Sequence, residues 1–139
     1  ITSCRDALNG YQRGKCFYCS EKISILSSSK LTADVDHFFP HVLIKNNFGY
    51  NIDGIWNLVL SCKNCNRGTN GKFEKIPSIE YLDKLANRNN WLIFSHHPLR
   101  ETIINQTGKT PEKRNKFLNT AYNASIKLFP GSNWKPDRL

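Results

Sequence analysis

Apolar residues along this chain recur in two different rhythms. Near the start, Thr2 or Ser3 is placed to cap a short helix that carries Ala7, Leu8 and Tyr11 on one side and stops before Gly14. Residues 22–26 and 32–39 read as two strands of a hairpin, joined by a turn of serines at 27–29 and closed by Pro40. From His41 to Ile55 the pattern lapses, and Asn46, Asn47, Gly49, Asn51 and Gly54 mark a loop of the length that is usually functional or disordered. Trp56 to Leu60 is a short apolar segment, followed from Lys63 to about Asn70 by a helical turn or two that Gly68 and Gly71 keep short. Helical spacing returns at Ser78 with Ile79, Leu82, Leu85 and Ala86, and Trp91 to Phe94 reads as a second apolar segment. Pro98 suits the first position of a helix running to Gly108 with Leu99, Ile103 and Ile104 inside. A last helix follows Thr110-Pro111-Glu112, with Phe117, Leu118, Ala121, Tyr122, Ser125, Ile126 and Phe129 on a stripe that Pro130-Gly131 ends.

The 139 residues suffice for one domain of ordinary size. The longest uninterrupted apolar run, Trp91 to Phe94, is far short of the ~20 residues that cross a bilayer, so no membrane partner is expected. No charged region followed by an apolar one opens the chain, so a cytoplasmic setting is expected. The chain has no methionine and starts Ile1-Thr2-Ser3, which reads as a piece excised from a longer protein with further domains. Twenty Lys and Arg against eleven Asp and Glu give a net charge of +9, which favours a polyanion, and nucleic acid above all.

Cysteine spacing sharpens this picture. Cys16/Cys19 and Cys62/Cys65 are two Cys-x-x-Cys pairs, each able to place two thiolates on one tetrahedral ion, so together they predict a structural Cys4 zinc site. Two disulfides or a redox-active pair are the competing readings. Cys4 reads as a small buried thiol outside this set.

Between the cysteine pairs runs Asp34-Val35-Asp36-His37-Phe38-Phe39-Pro40, and the second pair is reached through Trp56-Asn57-Leu58-Val59-Leu60-Ser61 and continues as Cys65-Asn66-Arg67-Gly68. Over roughly residues 14–72 this order resembles the HNH endonuclease motif, the ββα-metal nuclease fold in its zinc-supported form. The resemblance implies a ββα-metal core at 14–72; together with the N-terminal helix and the C-terminal helical extension at 78–130 read from the apolar pattern, an α+β architecture within a single domain, 1–139, is expected.

Phosphodiester hydrolysis needs a nucleophilic water, a cation at the phosphorane-like transition state and a means of stabilising the leaving oxygen. His37 is the one side chain of the motif that takes up a proton near neutral pH, which makes it the candidate general base. Asp36 and Asn66 offer oxygen ligands to a hard divalent ion, magnesium or manganese. Neighbours on a flat strand face opposite ways, so Asp36 and His37 share a site only at a twisted strand end. In the resemblance, Asn57 is the family's central Asn, holding the loop against the backbone around His37. The third family position, often His, is Asn66 here, resembling the HNN subset; where many relatives have Lys three residues later, this chain has Thr69. A basic leaving-group or phosphate role is therefore open between Arg67 and Lys72, and His41 reads as a loop residue or a phosphate contact. His96 and His97 precede Pro98, where His97 fits as a helix-start residue and metal binding is the lesser reading, and the basic stretch Lys109, Lys113, Arg114, Lys116 is open between a solvated helix face and a nucleic-acid track. The leading expectation is a metal-dependent endonuclease acting on DNA, double-stranded above all. A zinc-stapled binding module without cleavage and an RNA-directed nuclease are the alternatives.

Overall fold

A computed structural model of the chain describes residues 4–137. The elements in order are helix α1 (Arg5–Gln12), strand β1 (Asp34–His37), two short 3-10 helices (His41–Asn46 and Ile55–Asn57), strand β2 (Leu58–Ser61), and helices α2 (Lys63–Arg67), α3 (Ile79–Phe94), α4 (Arg100–Thr107) and α5 (Pro111–Leu128). Among the described residues no helix is long and apolar enough to cross a membrane.

β1 and β2 form an antiparallel pair in which Asp34 faces Ser61, Asp36 faces Val59 and His37 faces Leu58. This corrects the hairpin expected between residues 22–26 and 32–39. There the chain makes only single bridges, Lys15 with Lys22 and Ser24 with Thr32. The reason lies in burial: every residue of β2 is buried, whereas Lys22 and Leu26 are exposed, so β2 is the partner that dries the face of β1. Gln12 closes the other edge of β2, since its side-chain amide donates to the Leu60 carbonyl at 2.8 Å and accepts from the Leu60 N–H at 2.9 Å. Phe17 N–H adds a second bond to the same carbonyl at 3.0 Å.

α3 runs unbroken through Trp91–Phe94, which correspondingly is no separate segment; Leu92 and Ile93 continue the face begun by Leu82 and Leu85. Its N-cap position is Ser78, and the N-cap of α4 is Leu99, one residue past the expected proline. α5 starts at Pro111, earlier than expected, so that Pro111 and Glu112 belong to its first turn and the Thr110 hydroxyl caps it by accepting from Lys113 N–H. Leu118, Ala121, Tyr122 and Ser125 form its buried stripe. The candidate caps Thr2 and Ser3 lie outside the described residues; α1 begins at Arg5. The loop at 41–55 is ordered by the two 3-10 helices and by buried Leu43, Phe48 and Ile52.

At the centre, fully buried Arg88 of α3 donates to the carbonyls of Leu58, Ile55 and Trp56 at 2.7, 3.1 and 3.3 Å. Burial lowers its pKa to about 10, which leaves it charged at neutral pH. It caps the peptide groups where the second 3-10 helix turns into β2, and no periodicity in the sequence marks it out. Arg88→Leu is expected to cost roughly 3 kcal/mol of stability, because several buried carbonyls lose their donor at once. Chemical denaturation, with zinc content measured alongside, checks this.

Candidate active site

The zinc knuckles come together first. Cys16 and Cys19 follow α1, Cys62 precedes α2 and Cys65 lies within it, and one sulfur from each is within 4.8 Å of all the others. All four are thiols, so the disulfide reading does not apply. Backbone N–H groups point at the sulfurs: Tyr18 and Cys62 at Cys16 Sγ, 3.4 and 3.3 Å, and Cys65 at Cys62 Sγ, 3.3 Å. The hydrogen bond from Cys65, helped by backbone donors, pulls the Cys16 thiol down to about 4, while burial pushes Cys19 up to about 12. One thiolate is thus favoured while Cys19 and Cys65 resist ionising beside it, which is the electrostatic situation that a divalent ion resolves. The four sulfurs fit zinc.

α2 carries the zinc geometry directly to the motif. Asn66 and Arg67, beside Cys65, both reach back to β1: Asn66 Nδ2 donates to Asp34 Oδ2 at 2.9 Å, and Arg67 holds the same carboxylate from Nε at 2.9 Å and from its terminal nitrogen at 3.3 Å. The strand alternates from there. Asp36 is buried, accepting from the Tyr18 hydroxyl at 2.7 Å and pairing with Lys72 Nζ at 3.3 Å. Burial, and then the Asp36 charge, raise the Tyr18 pKa. His37 has other partners altogether: its Nε2 lies 2.8 Å from Asp53 Oδ1. His41 Nε2 stands 3.6 Å from the same oxygen, and the two imidazole centroids are 5.4 Å apart.

Fully buried Asn57 fastens this corner. Its oxygen accepts from Phe39 N–H at 2.8 Å, and its nitrogen donates to the carbonyls of Phe39 and Ile52 at 3.0 and 2.9 Å. One side chain therefore ties the residue between His37 and His41 to the residue before Asp53. Hydrogen bonds and ion pairs sort the expected site residues into three groups. His37 and His41 meet, around an Asp53 that the sequence reading missed; Asn66 meets Asp34; Asp36 meets Lys72.

The reading of Lys72 as a phosphate contact is corrected. Its side chain is 0% exposed, donating to the His37 carbonyl at 2.8 Å as well as pairing with Asp36. Burial lowers its pKa, and Asp36 opposes the shift. An ammonium sealed against a buried carboxylate cannot reach a phosphate from that position. Arg67, more than half exposed, and His41 remain accessible. Elsewhere His97 accepts from Leu99 N–H at the start of α4, and Arg114 is buried, bonded to Asn90 and the Gly108 carbonyl, which takes it out of any basic track.

Asp53 had only a weak signal in the sequence, one acid in an Asn- and Gly-rich loop. Asp34 had a better one, since it lies two residues from Asp36 on the same strand.

A search among curated proteins found no match. A family model described as HNH endonuclease matches residues 16–78, a span that holds both cysteine pairs, β1, the Asn57 clamp, β2 and α2. Members of this family act on nucleic acids as nucleases and work with divalent metal ions, and residues 16–78 of the chain match that family's core.

Proposed function

We propose that the chain hydrolyses phosphodiester bonds in double-stranded DNA, with His37 as general base. The observation that carries this reading is the 2.8 Å pairing of His37 Nε2 with Asp53 at the accessible end of β1. A neutral imidazole that donates its Nε2 hydrogen to a carboxylate keeps its lone pair on Nδ1, free to accept a proton from water. The imidazolium so formed stays beside the Asp53 charge that stabilises it. Asp53 is therefore a positioning residue, and Asn57 holds the backbone on both sides of the pair. Exposed Arg67 and His41 are placed to receive phosphate oxygens. The hydroxide formed from the water attacks phosphorus as the bond from phosphorus to the 3′-oxygen breaks, and the departing 3′-oxyanion takes a proton from solvent, which gives the 5′-phosphate and 3′-hydroxyl ends that the resemblance implies.

When bound, a divalent ion of the kind the family uses would supply positive charge against the phosphate in the transition state. Asp36 and Asn66 are the oxygen donors proposed to hold it, and the residues fit: Asn66 is half-buried on α2, and Asp36 takes both Tyr18 and Lys72 on Oδ2, which leaves Oδ1 to offer a metal ion. In support, carboxylate and amide oxygens suit magnesium and manganese rather than later ions. Incubation with plasmid, single-stranded DNA and RNA, with each metal in turn, tests the function. Cleavage of plasmid with magnesium or manganese is expected; binding without cleavage in every metal, or cutting of RNA alone, would overturn it. Asn66→His is expected to move the metal preference toward nickel or cobalt.

The +9 charge is proposed to serve DNA binding. Affinity should fall steeply with salt, by about 0.9 log units per phosphate contact for each tenfold rise in concentration, and a flat titration would assign the charge elsewhere. The helices packed on the motif support reading the chain as one unit, with the core at 14–72 and the extension at 78–130.

A further inference from the structure

We propose that His37, His41 and Asp53 form a second metal site, selective for a borderline divalent ion such as zinc, and that filling it switches the nuclease off. The switching half rests on the reading of His37 as general base; the site itself does not.

The three side chains each place one donor atom within 4.8 Å of the others. The shortest separations, 2.8 Å from His37 Nε2 to Asp53 and 3.6 Å from His41 Nε2 to Asp53, lie on either side of the spacing of about 3.4 Å between ligands on a tetrahedral ion with bonds of about 2.1 Å. Small rotations of exposed side chains suffice to equalise them: His41 is 61% and Asp53 58% exposed, which also leaves room for water to complete the shell. The backbone under the cluster is prearranged. Asn57 bonds both Phe39 and Ile52, so the spans that carry His37, His41 and Asp53 are fixed to one buried amide. Pro40 starts the 3-10 helix whose first residue is His41.

Two imidazole nitrogens and one carboxylate oxygen suit zinc, cobalt or nickel, and suit magnesium poorly. The set differs from the four sulfurs of the knuckles and shares no residue with Asp36 and Asn66. Its consequence follows from the ring. A neutral imidazole has one lone pair and one N–H. When Nε2 binds the ion, its hydrogen leaves to solvent and Nδ1 takes one up, with no net proton released. The lone pair that would accept a proton from water is then gone, and Asp53 exchanges its hydrogen bond for a bond to the ion. The group that the proposed reaction needs is thereby removed without any change of fold.

The full chain with one zinc in the cysteine site is titrated with further zinc, by calorimetry and by metal analysis, alongside plasmid cleavage in magnesium. One additional zinc per chain is expected. His41→Asn and Asp53→Asn should each weaken that second equivalent at least tenfold while keeping the first, which also shows that they fold. Cleavage should fall as the second equivalent fills, and zinc should inhibit each variant less, measured against that variant's own zinc-free rate. No second equivalent, or one that binds both variants as tightly as the parent, overturns the site. A second equivalent that needs His41 and Asp53 yet leaves cleavage untouched upholds the site and overturns the switch, and with it the base assignment of His37.

Discussion

Replacing His37 with alanine is expected to lower the rate of DNA cleavage by about 10²–10⁴-fold, the range that a positioned general base supplies. The loss should fall on the chemical step. His37 sits at the end of β1, with its ring on the accessible side against Asp53 rather than in the core, so removing the ring leaves the β1–β2 ladder, the Asn57 clamp and the four sulfurs as they are. The zinc held by the four cysteines, thermal unfolding and DNA affinity should therefore stay close to the parent. Asp53 gives the graded control. Asp53→Ala leaves the ring without an acceptor for its Nε2 hydrogen, whereas Asp53→Asn retains an amide oxygen there, so the asparagine variant should recover part of the rate that alanine loses. Full-rate cutting by His37→Ala would move the base to another residue, and parental rates in both Asp53 variants would make that carboxylate a bystander.

The second large effect is on stability. Stripping zinc with a strong chelator, or replacing Cys65 with serine, is expected to unfold the motif, since structural zinc sites in small domains contribute on the order of 10 kcal/mol. The four thiols join the turn after α1 to the start of α2, and α2 in turn presents Asn66 and Arg67 to Asp34. Loss of the ion frees both ends of that chain of contacts. Cys4→Ser should by contrast retain one zinc per chain. Circular dichroism and metal analysis during chelation check the prediction; folded, active protein without zinc would refute it.

How far the sequence alone could lead is shown by the residues themselves. The cysteine quartet was legible because each pair is a local turn with its own spacing, and two such turns call for one ion wherever the intervening chain runs. α5 was legible because its stripe repeats over many turns and its Thr-Pro start satisfies the first N–H groups locally. The strands were not. Residues 22–26 and 32–39 look like a hairpin at short range, yet β1 pairs with β2, since partner choice is settled by which face must be dried and by the helix that covers it. The same holds for α3, whose last apolar residues look like a separate segment until the core shows one continuous buried face.

Charged side chains divided the same way. Sequence determined that an acid, a histidine and an asparagine stand in a known order between zinc knuckles, and that order identified the core. Only tertiary structure decided whom each one meets. Lys72 reads as a surface base, yet it is buried on Asp36 and the His37 carbonyl; Asp53 reads as a loop acid, yet it holds the His37 ring; Arg88 reads as one more helix cation, yet it caps three carbonyls in the core. The physical reason is common to all three. Spacing along the chain fixes what neighbours on one turn or one strand can do, whereas the partner of a charge is set by which distant backbone and side chains exclude water around it, and that is known only once the chain has closed on itself.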